Sequence, residues 1–181
     1  GKAYGPLMWK TLRGMKAIVA NCPAYARTSP ILSNPAIRDK VRVIPLGIVE
    51  SSYPTEGDDS ILERLGLESG EPYFFFIGVL RYYKGLDFLI TAASQVKASI
   101  VIVGEGPEGK QLREKVARSE IANVHFLGAL PDDDKIALFS LCRAVVFPSH
   151  MRSEAFGITL LEGARAAKPL ICCEIGTGTT W

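Results

Sequence analysis

Four side chains of this chain combine type and spacing in a way that suits chemistry on an anionic ligand: Arg81, Lys84, Glu154 and Glu162. Arg81 and Lys84 stand in Gly78-Val-Leu-Arg-Tyr-Tyr-Lys-Gly85, cations flanked by glycines. Glu154 stands in Pro148-Ser-His-Met-Arg-Ser-Glu-Ala-Phe-Gly157, just before a segment with helical spacing. Backbone N–H groups left free at a helix start, beside Arg and Lys, make a site for a phosphate or diphosphate. Glu162 follows Glu154 by eight positions, a net rotation of about 80° over roughly two helical turns. With Glu154 in the preceding loop and Glu162 inside the helix, both carboxylates are placed to reach along one ligand. Plainer readings stand beside these: Arg81 and Lys84 as solvated surface charges, and Glu154 as a carboxylate favourable at any helix start.

Those residues need elements to hold them, and the hydrophobic pattern supplies a regular set. Continuous apolar runs of strand length occur at Tyr73 to Val79, Ser99 to Gly104, Val124 to Leu127, Ala144 to Pro148 and Pro169 to Glu174. Between them lie helical patterns at Leu86 to Val96, Gly109 to Ser119, Asp132 to Leu141 and Ile158 to Ala167. In the last of these, Ile158, Leu161 and Ala164 form the expected core stripe, and Gly163 with its neighbouring alanines allows close packing on a sheet. Strands apolar throughout, alternating with amphipathic helices, predict an α/β fold with a doubly wound parallel sheet covered on both faces. Such sheets bind ligands beyond the carboxyl ends of their strands, where the strand order reverses. With the common order 3-2-1-4-5, that point lies between the first and fourth strands, and the two unusual loops face each other there.

Residues before Tyr73 form one further β-α-β unit: Lys16 to Ala20, a helical stretch around Ala24 to Leu32, and Val41 to Pro45. One such unit cannot bury both faces of its own sheet, so it must dock on the main domain or belong to a larger one. The polar stretch Ser51 to Asp59 reads as a linker and Ser60 to Leu67 as a short helix. The expected division is therefore 1–50, 51–72 and 73–181, with the chain a piece of a longer protein.

Composition excludes several classes. The chain has 181 residues, 48% hydrophobic and 22% charged, as in an ordinary globular domain. A net charge of +2 gives no electrostatic case for nucleic-acid binding. No apolar run approaches the about 18 residues that span a bilayer, and none at the start resembles a signal-peptide core. The 4 cysteines (Cys22, Cys142, Cys172, Cys173) and 2 histidines (His125, His150) offer no zinc spacing, so no metal is expected and the thiols read as reduced in a cytoplasmic setting. His150 reads as an exposed loop histidine and His125 as structural, while Tyr82 and Tyr83 are open between packing on a nucleotide and capping the sheet.

Glu154-Ala-Phe-Gly-Ile-Thr-Leu-Leu-Glu162 resembles the E-x7-E motif of retaining glycosyltransferases of family 4, enzymes of the two-domain GT-B architecture. The resemblance extends in order through Val43-Ile-Pro-Leu-Gly47, Gly78 with Lys84-Gly85, Gly104-Glu-Gly-Pro107 and Gly176-Thr-Gly178, and so covers nearly the whole chain. It implies that residues 1 to about 50 are the tail of an N-terminal acceptor domain and that 73–181 belong to the domain binding a nucleoside-diphosphate sugar. It further implies that Lys84 and a nearby Arg hold the donor diphosphate, that Glu162 binds ribose hydroxyls and that Glu154 faces the donor sugar. Amides around Phe156, Gly157 and Ile158 would contact phosphate, and the loop Gly128-Ala-Leu130 would line the base. Arg81, Lys84 and the helix dipole would then meet the leaving-group charge without a divalent cation, and the sugar would be transferred with retention. No cofactor is implied beyond a GDP- or UDP-linked donor, with mannose the first candidate sugar. The implied acceptor is a glycan or lipid-linked glycan, and the implied location the cytoplasm or the inner face of the membrane.

The chain departs from the family pattern. Val79 stands where the family has an Arg after the strand glycine; Arg81, two positions on, faces the same side of an extended segment and substitutes for it in this reading. Most of the acceptor domain and the end of the donor domain are missing from the pattern, so the chain alone is expected to be inactive. Two other classes compete. One is a non-catalytic nucleotide-binding module. The other is an NAD-dependent oxidoreductase using Gly104-Glu-Gly-Pro-Glu-Gly109, which fits G-x-G-x-x-G but follows the second strand, carries Pro107 and lacks an acidic residue after the next strand.

Overall fold

The structure, a computed structural model, describes residues 4–53, 60–64, 66–67 and 70–180. Its elements in chain order are α1 (Tyr4–Gly14), β1 (Ile18–Ala20), α2 (Pro23–Thr28), β2 (Val41–Val43), α3 (Ile61–Arg64), β3 (Tyr73–Ile77), α4 (Leu86–Ala93), β4 (Ser99–Val103), α5 (Gly109–Arg118), β5 (Val124–Gly128), α6 (Asp132–Leu141), β6 (Ala144–Phe147), α7 (Ile158–Arg165) and β7 (Leu170–Cys172). Strands β3 to β7 form one parallel sheet in the order β5-β4-β3-β6-β7. Counted within this domain, that is the common 3-2-1-4-5 order assumed above for a doubly wound sheet, and the reversal falls between β3 and β6.

Period-two alternation explains the two cores. Phe75, Val101, Val103 and Val145 point to one face, where they pack with Tyr73, Leu138 and Phe139 and with Ile61 and Leu62 of α3. Phe76, Ile100, Ile102 and Val146 point to the other, against Leu86, Leu89 and Ile90 of α4 and Leu112 of α5. Burying such a side chain contributes about 1.5–3 kcal/mol. Phe75 and Phe139 also meet edge to face, with centroids 4.9 Å apart. Three aspartates fill the first turn of α6, where the helix dipole favours them, and Arg64 reaches Asp134 at 2.5 Å to tie α3 to that turn.

Helix α7 differs from expectation in which stripe it buries. Leu160 and Gly163 are its buried residues, while Ile158 is 42% exposed and Ala164 is exposed. The register follows from the approach of the helix to the sheet. A Cβ at Gly163 would lie 2.7 Å from Leu170 Cδ2 and 2.9 Å from Val145 Cγ2, so the helix sits on β6 and β7 at the one position without a side chain. Ile158, at the start of the helix, is thereby left on its exposed side. The expected last strand is also shorter, ending at Cys172, so the vicinal cysteines do not both lie within it.

The N-terminal unit is a two-stranded parallel sheet with Ile18↔Val41 to Ala20↔Val43 in register. Its helix is shorter than the pattern suggested, and α1 is an element that sequence reasoning did not assign. α1 carries Tyr4, Leu7, Met8 and Leu12 at helical spacing but leaves none of its residues fully buried. The unit docks on the main domain through α2. Thr28 donates to the carbonyl of Gly176, and the Arg152 guanidinium lies 5.3 Å from the centre of the Tyr25 ring. Of the expected linker and short helix over 51–72, residues 54–59, 65, 68 and 69 lie outside the described residues.

Candidate functional site

The loop after β3 is built on backbone-to-backbone contact. Leu80 N–H donates to Glu105 O at 3.0 Å and Glu108 N–H to Leu80 O at 3.1 Å. A Cβ at Gly104 would fall 2.1 Å from Gly78 O, and one at Gly106 would fall 2.5 Å from Leu80 O. The glycines of Gly104-Glu-Gly-Pro-Glu-Gly109 therefore serve the packing of two loops against each other, which weighs against the dinucleotide reading. Val79 is half exposed and Leu80 fully buried, and Arg81 is exposed again, the alternation expected of an extended segment.

A 3-10 turn over Tyr82–Lys84 ends at Gly85, whose φ is +71°. Gly85 presses on the end of β6, since a Cβ there would lie 2.0 Å from Pro148 O. His150 N–H donates to Tyr83 O at 3.1 Å, and the exposed His150 ring stacks edge-on against Phe88. The two loops thus face each other across the β3–β6 reversal, as the topology argument required.

At that point Lys84 Nζ lies 2.5 Å from Glu154 Oε2, with the side chains 12% and 13% exposed. The hydroxyl of Ser149, itself fully buried, donates to the same oxygen at 3.3 Å. Beneath them the ammonium sits 4.7 Å from the centre of the Phe147 ring. Behind Glu154, α7 begins after Gly157 with no side-chain cap; Leu160 N–H donates to Gly157 O at 2.9 Å, and the N–H groups ahead of it have no intrahelical partners. Phe156 is buried, and its chain is clamped to the loop after β7 by Gly178 N–H donating to Ala155 O at 3.0 Å. Sequence reasoning did not single out Ser149; a hydroxyl immediately after an apolar strand was the available signal.

Glu162 does not join the Lys84–Glu154 pair. Its Oε1 accepts a hydrogen bond from Tyr53 OH at 3.0 Å, in a cleft of about 210 Å³ lined by Tyr53, Asp132, Lys135, Ile136, Phe139 and Glu162. Burial raises the Glu162 carboxyl above its ordinary value, with Tyr53 and Lys135 opposing that shift. Burial and then the Glu162 carboxylate raise the Tyr53 phenol, so it remains a donor. Tyr53 belongs to the stretch that composition marked as linker, and its partner lies 109 residues away. Leu130 is half-buried and packs on the core beside α6. Arg81 lines a separate cleft with Tyr82, Leu86, Asp87, Glu108, Gln111 and Leu112. The structure therefore brings Lys84, Glu154 and the start of α7 together, places Glu162 and Leu130 along the adjoining α6–α7 edge, and leaves Arg81 apart. All four cysteines are free thiols, and no group of metal-ligating side chains occurs among the described residues.

The fold is a doubly wound α/β domain with a parallel five-stranded sheet, and the candidate site lies at the carboxyl edge of that sheet. The chain belongs to the glycosyl transferases group 1 family, whose model matches residues 58–179. It is 46% identical over 180 residues to O-antigen chain mannosyltransferase C of Escherichia coli, covering 99% of this chain and 47% of that protein. It is 47% identical over 180 residues to D-rhamnosyltransferase WbpZ of Pseudomonas aeruginosa, covering 99% and 46% respectively. The chain thus spans about half the length of these relatives. Its fold is that of GT-B glycosyltransferases. The solved Anabaena HepE, in complex with UDP and glucose, superposes with a TM-score of 0.77 at 22% identity over 94% of this chain and 47% of that one. Among the described residues no helix is long and apolar enough to cross a membrane.

Proposed function

We propose that this chain carries the nucleotide-sugar-binding portion of a retaining, family 4 hexosyltransferase that uses a GDP- or UDP-linked donor without a divalent cation. The observation that carries the proposal is the Lys84–Glu154 pair held at the uncapped start of α7, in the crevice between β3 and β6. In this reading the donor diphosphate takes the place of the Glu154 carboxylate as the partner of Lys84. The N–H groups of Phe156, Gly157 and Ile158 hold the same phosphates, and Arg81 turns toward them out of its separate cleft. These donors stabilise the charge that develops on the leaving nucleoside diphosphate. Glu154, released from Lys84, faces the donor sugar and offsets positive charge at the anomeric carbon. Glu162 binds the ribose, and Leu130 lines the base.

The relatives named as mannosyl- and D-rhamnosyltransferases support a hexose donor, with mannose the first candidate. The acceptor would be a glycan or a lipid-linked glycan met at the cytoplasmic face of a membrane. In this reading residues 1–50 close an acceptor domain, 51–72 link, and 73–181 bind the donor.

Calorimetric titration of the chain with GDP, UDP, ADP and NAD, with and without magnesium, tests the proposal. One nucleoside diphosphate should bind equally well in either condition, and Glu162→Ala should weaken it by about tenfold, the loss of a charge-assisted hydrogen bond. NAD binding that survives Glu162→Ala, or no nucleotide binding by the folded chain, would overturn it.

A further inference from the structure

The α6–α7 edge contains an arrangement that the E-x7-E motif does not anticipate: the linker supplies Glu162 with a partner. Tyr53 OH donates to Glu162 Oε1 at 3.0 Å. The tyrosine ring is itself held, because the Arg165 guanidinium lies 4.9 Å from its centre and Arg165 Nε is 2.8 Å from Glu50 Oε1. Glu50 and Tyr53 come from one short 3-10 turn and its end, and Glu162 and Arg165 are one turn apart on α7. Glu50, just before the linker, and Tyr53 within it thus grip two side chains of one helix face.

We infer that Tyr53 is a positioning residue for Glu162: by occupying Oε1 it fixes the carboxylate plane and leaves Oε2 as the acceptor for a hydroxyl of the donor ribose. The inference rests on the proposed role of Glu162. A carboxylate ending a flexible side chain has several rotamers, and one strong donor on a single oxygen selects among them. The phenol suits this task because it donates one hydrogen bond and brings no charge to compete for the second oxygen. The other charged groups around Glu162 are Asp132 and Lys135 of α6 and, on its other side, the paired Glu50 and Arg165. Lys135 is held by Asp132 at 2.8 Å, which leaves Tyr53 as the side chain bonded to Glu162. The Tyr53 hydrogen bond also lowers the Glu162 carboxyl against the upward pull of burial, and so keeps it an acceptor to lower pH.

The test is calorimetry on wild type, Tyr53→Phe, Glu162→Gln and the double variant, with UDP and GDP and their 2′-deoxy and 3′-deoxy analogues, repeated as pH is lowered. Tyr53→Phe keeps the ring that packs under Arg165, so the contact with the helix remains. The wild type should prefer the ribonucleotide over at least one deoxy analogue by about tenfold, the value of a hydrogen bond to a charged group. Tyr53→Phe should reduce that preference severalfold while leaving affinity for that deoxy analogue nearly unchanged. Loss of ribonucleotide binding on acidification should begin at higher pH in Tyr53→Phe, because the interaction that lowers the Glu162 carboxyl is gone. In the Glu162→Gln background, Tyr53→Phe should add little. Equal weakening of ribo- and deoxynucleotides by Tyr53→Phe, with the acid midpoint unmoved, would sink the inference and leave the role of Glu162 standing. A ribonucleotide preference unaffected by Glu162→Gln would sink both.

Discussion

Lys84→Ala should abolish measurable nucleoside-diphosphate binding and also destabilise the fold, and a second variant separates the two effects. Lys84 and Glu154 are about one-eighth exposed in the structure, at 12% and 13%. Removing one partner of a buried pair leaves the other charge uncompensated, at a cost of about 3–5 kcal/mol when burial is complete. With this residual exposure, and with the Ser149 hydroxyl still donating to Glu154, about 2–3 kcal/mol is the expected loss in denaturant unfolding. The double variant Lys84→Ala/Glu154→Ala removes both charges and should recover most of that stability. It should not recover binding, because the cation that faces the diphosphate is still missing. Titration of UDP and GDP into both variants, beside their unfolding midpoints, reads the two quantities independently. Wild-type affinity in the double variant would remove Lys84 from the donor site and with it the observation on which the proposed function rests.

Why the sequence disclosed the crevice but not everything around it follows from the range of the forces involved. The two cores were legible because Phe75 and Phe76, like Val101 and Ile102, pack on opposite faces as a period of two requires. Once five apolar runs alternate with helices, the parallel sheet follows, and the β3–β6 crevice follows from its strand order. Which stripe of α7 meets the sheet was not legible, because three apolar positions fit helical spacing as well as the observed pair. The choice was made by the missing side chain at Gly163 against Val145 and Leu170. α1 was legible in principle, since Tyr4, Leu7, Met8 and Leu12 recur at helical spacing, but sequence reasoning passed it over, and none of its residues is fully buried. Tyr53 was invisible for a third reason: its neighbours in sequence are polar and its function lies in a contact across 109 residues. Arg81 shares the exposed side of Val79, as an extended segment requires, but the cleft it lines is not the one that holds Lys84, a placement that no motif spacing discloses.

Gly85→Ala should unfold the chain or cost at least about 3 kcal/mol, the upper range for a single substitution, far more than its added methyl suggests. Two costs combine there. A non-glycine residue at a φ of +71° pays about 1–2 kcal/mol for the left-handed conformation. The new Cβ would also lie 2.0 Å from Pro148 O and 2.8 Å from Pro148 C, and a backbone carbonyl at the end of a buried strand has no rotamer by which to withdraw. Relief would require the Lys84-Gly85 turn to part from β6, breaking the His150 N–H to Tyr83 O bond and pulling Lys84 from Glu154. Gly128→Ala is the control, because its φ is +69° but its nearest neighbour is Glu105 Oε1 at 3.6 Å, an ordinary contact at the end of a flexible side chain. It carries the conformational cost alone and should lose about 1–2 kcal/mol. Equal losses in the two variants, measured by denaturant unfolding, would mean that the loops are not pressed together as described. A large excess at Gly85, with donor affinity also lost in the fraction that remains folded, would tie the close approach of these two backbones to the geometry of the Lys84–Glu154 site.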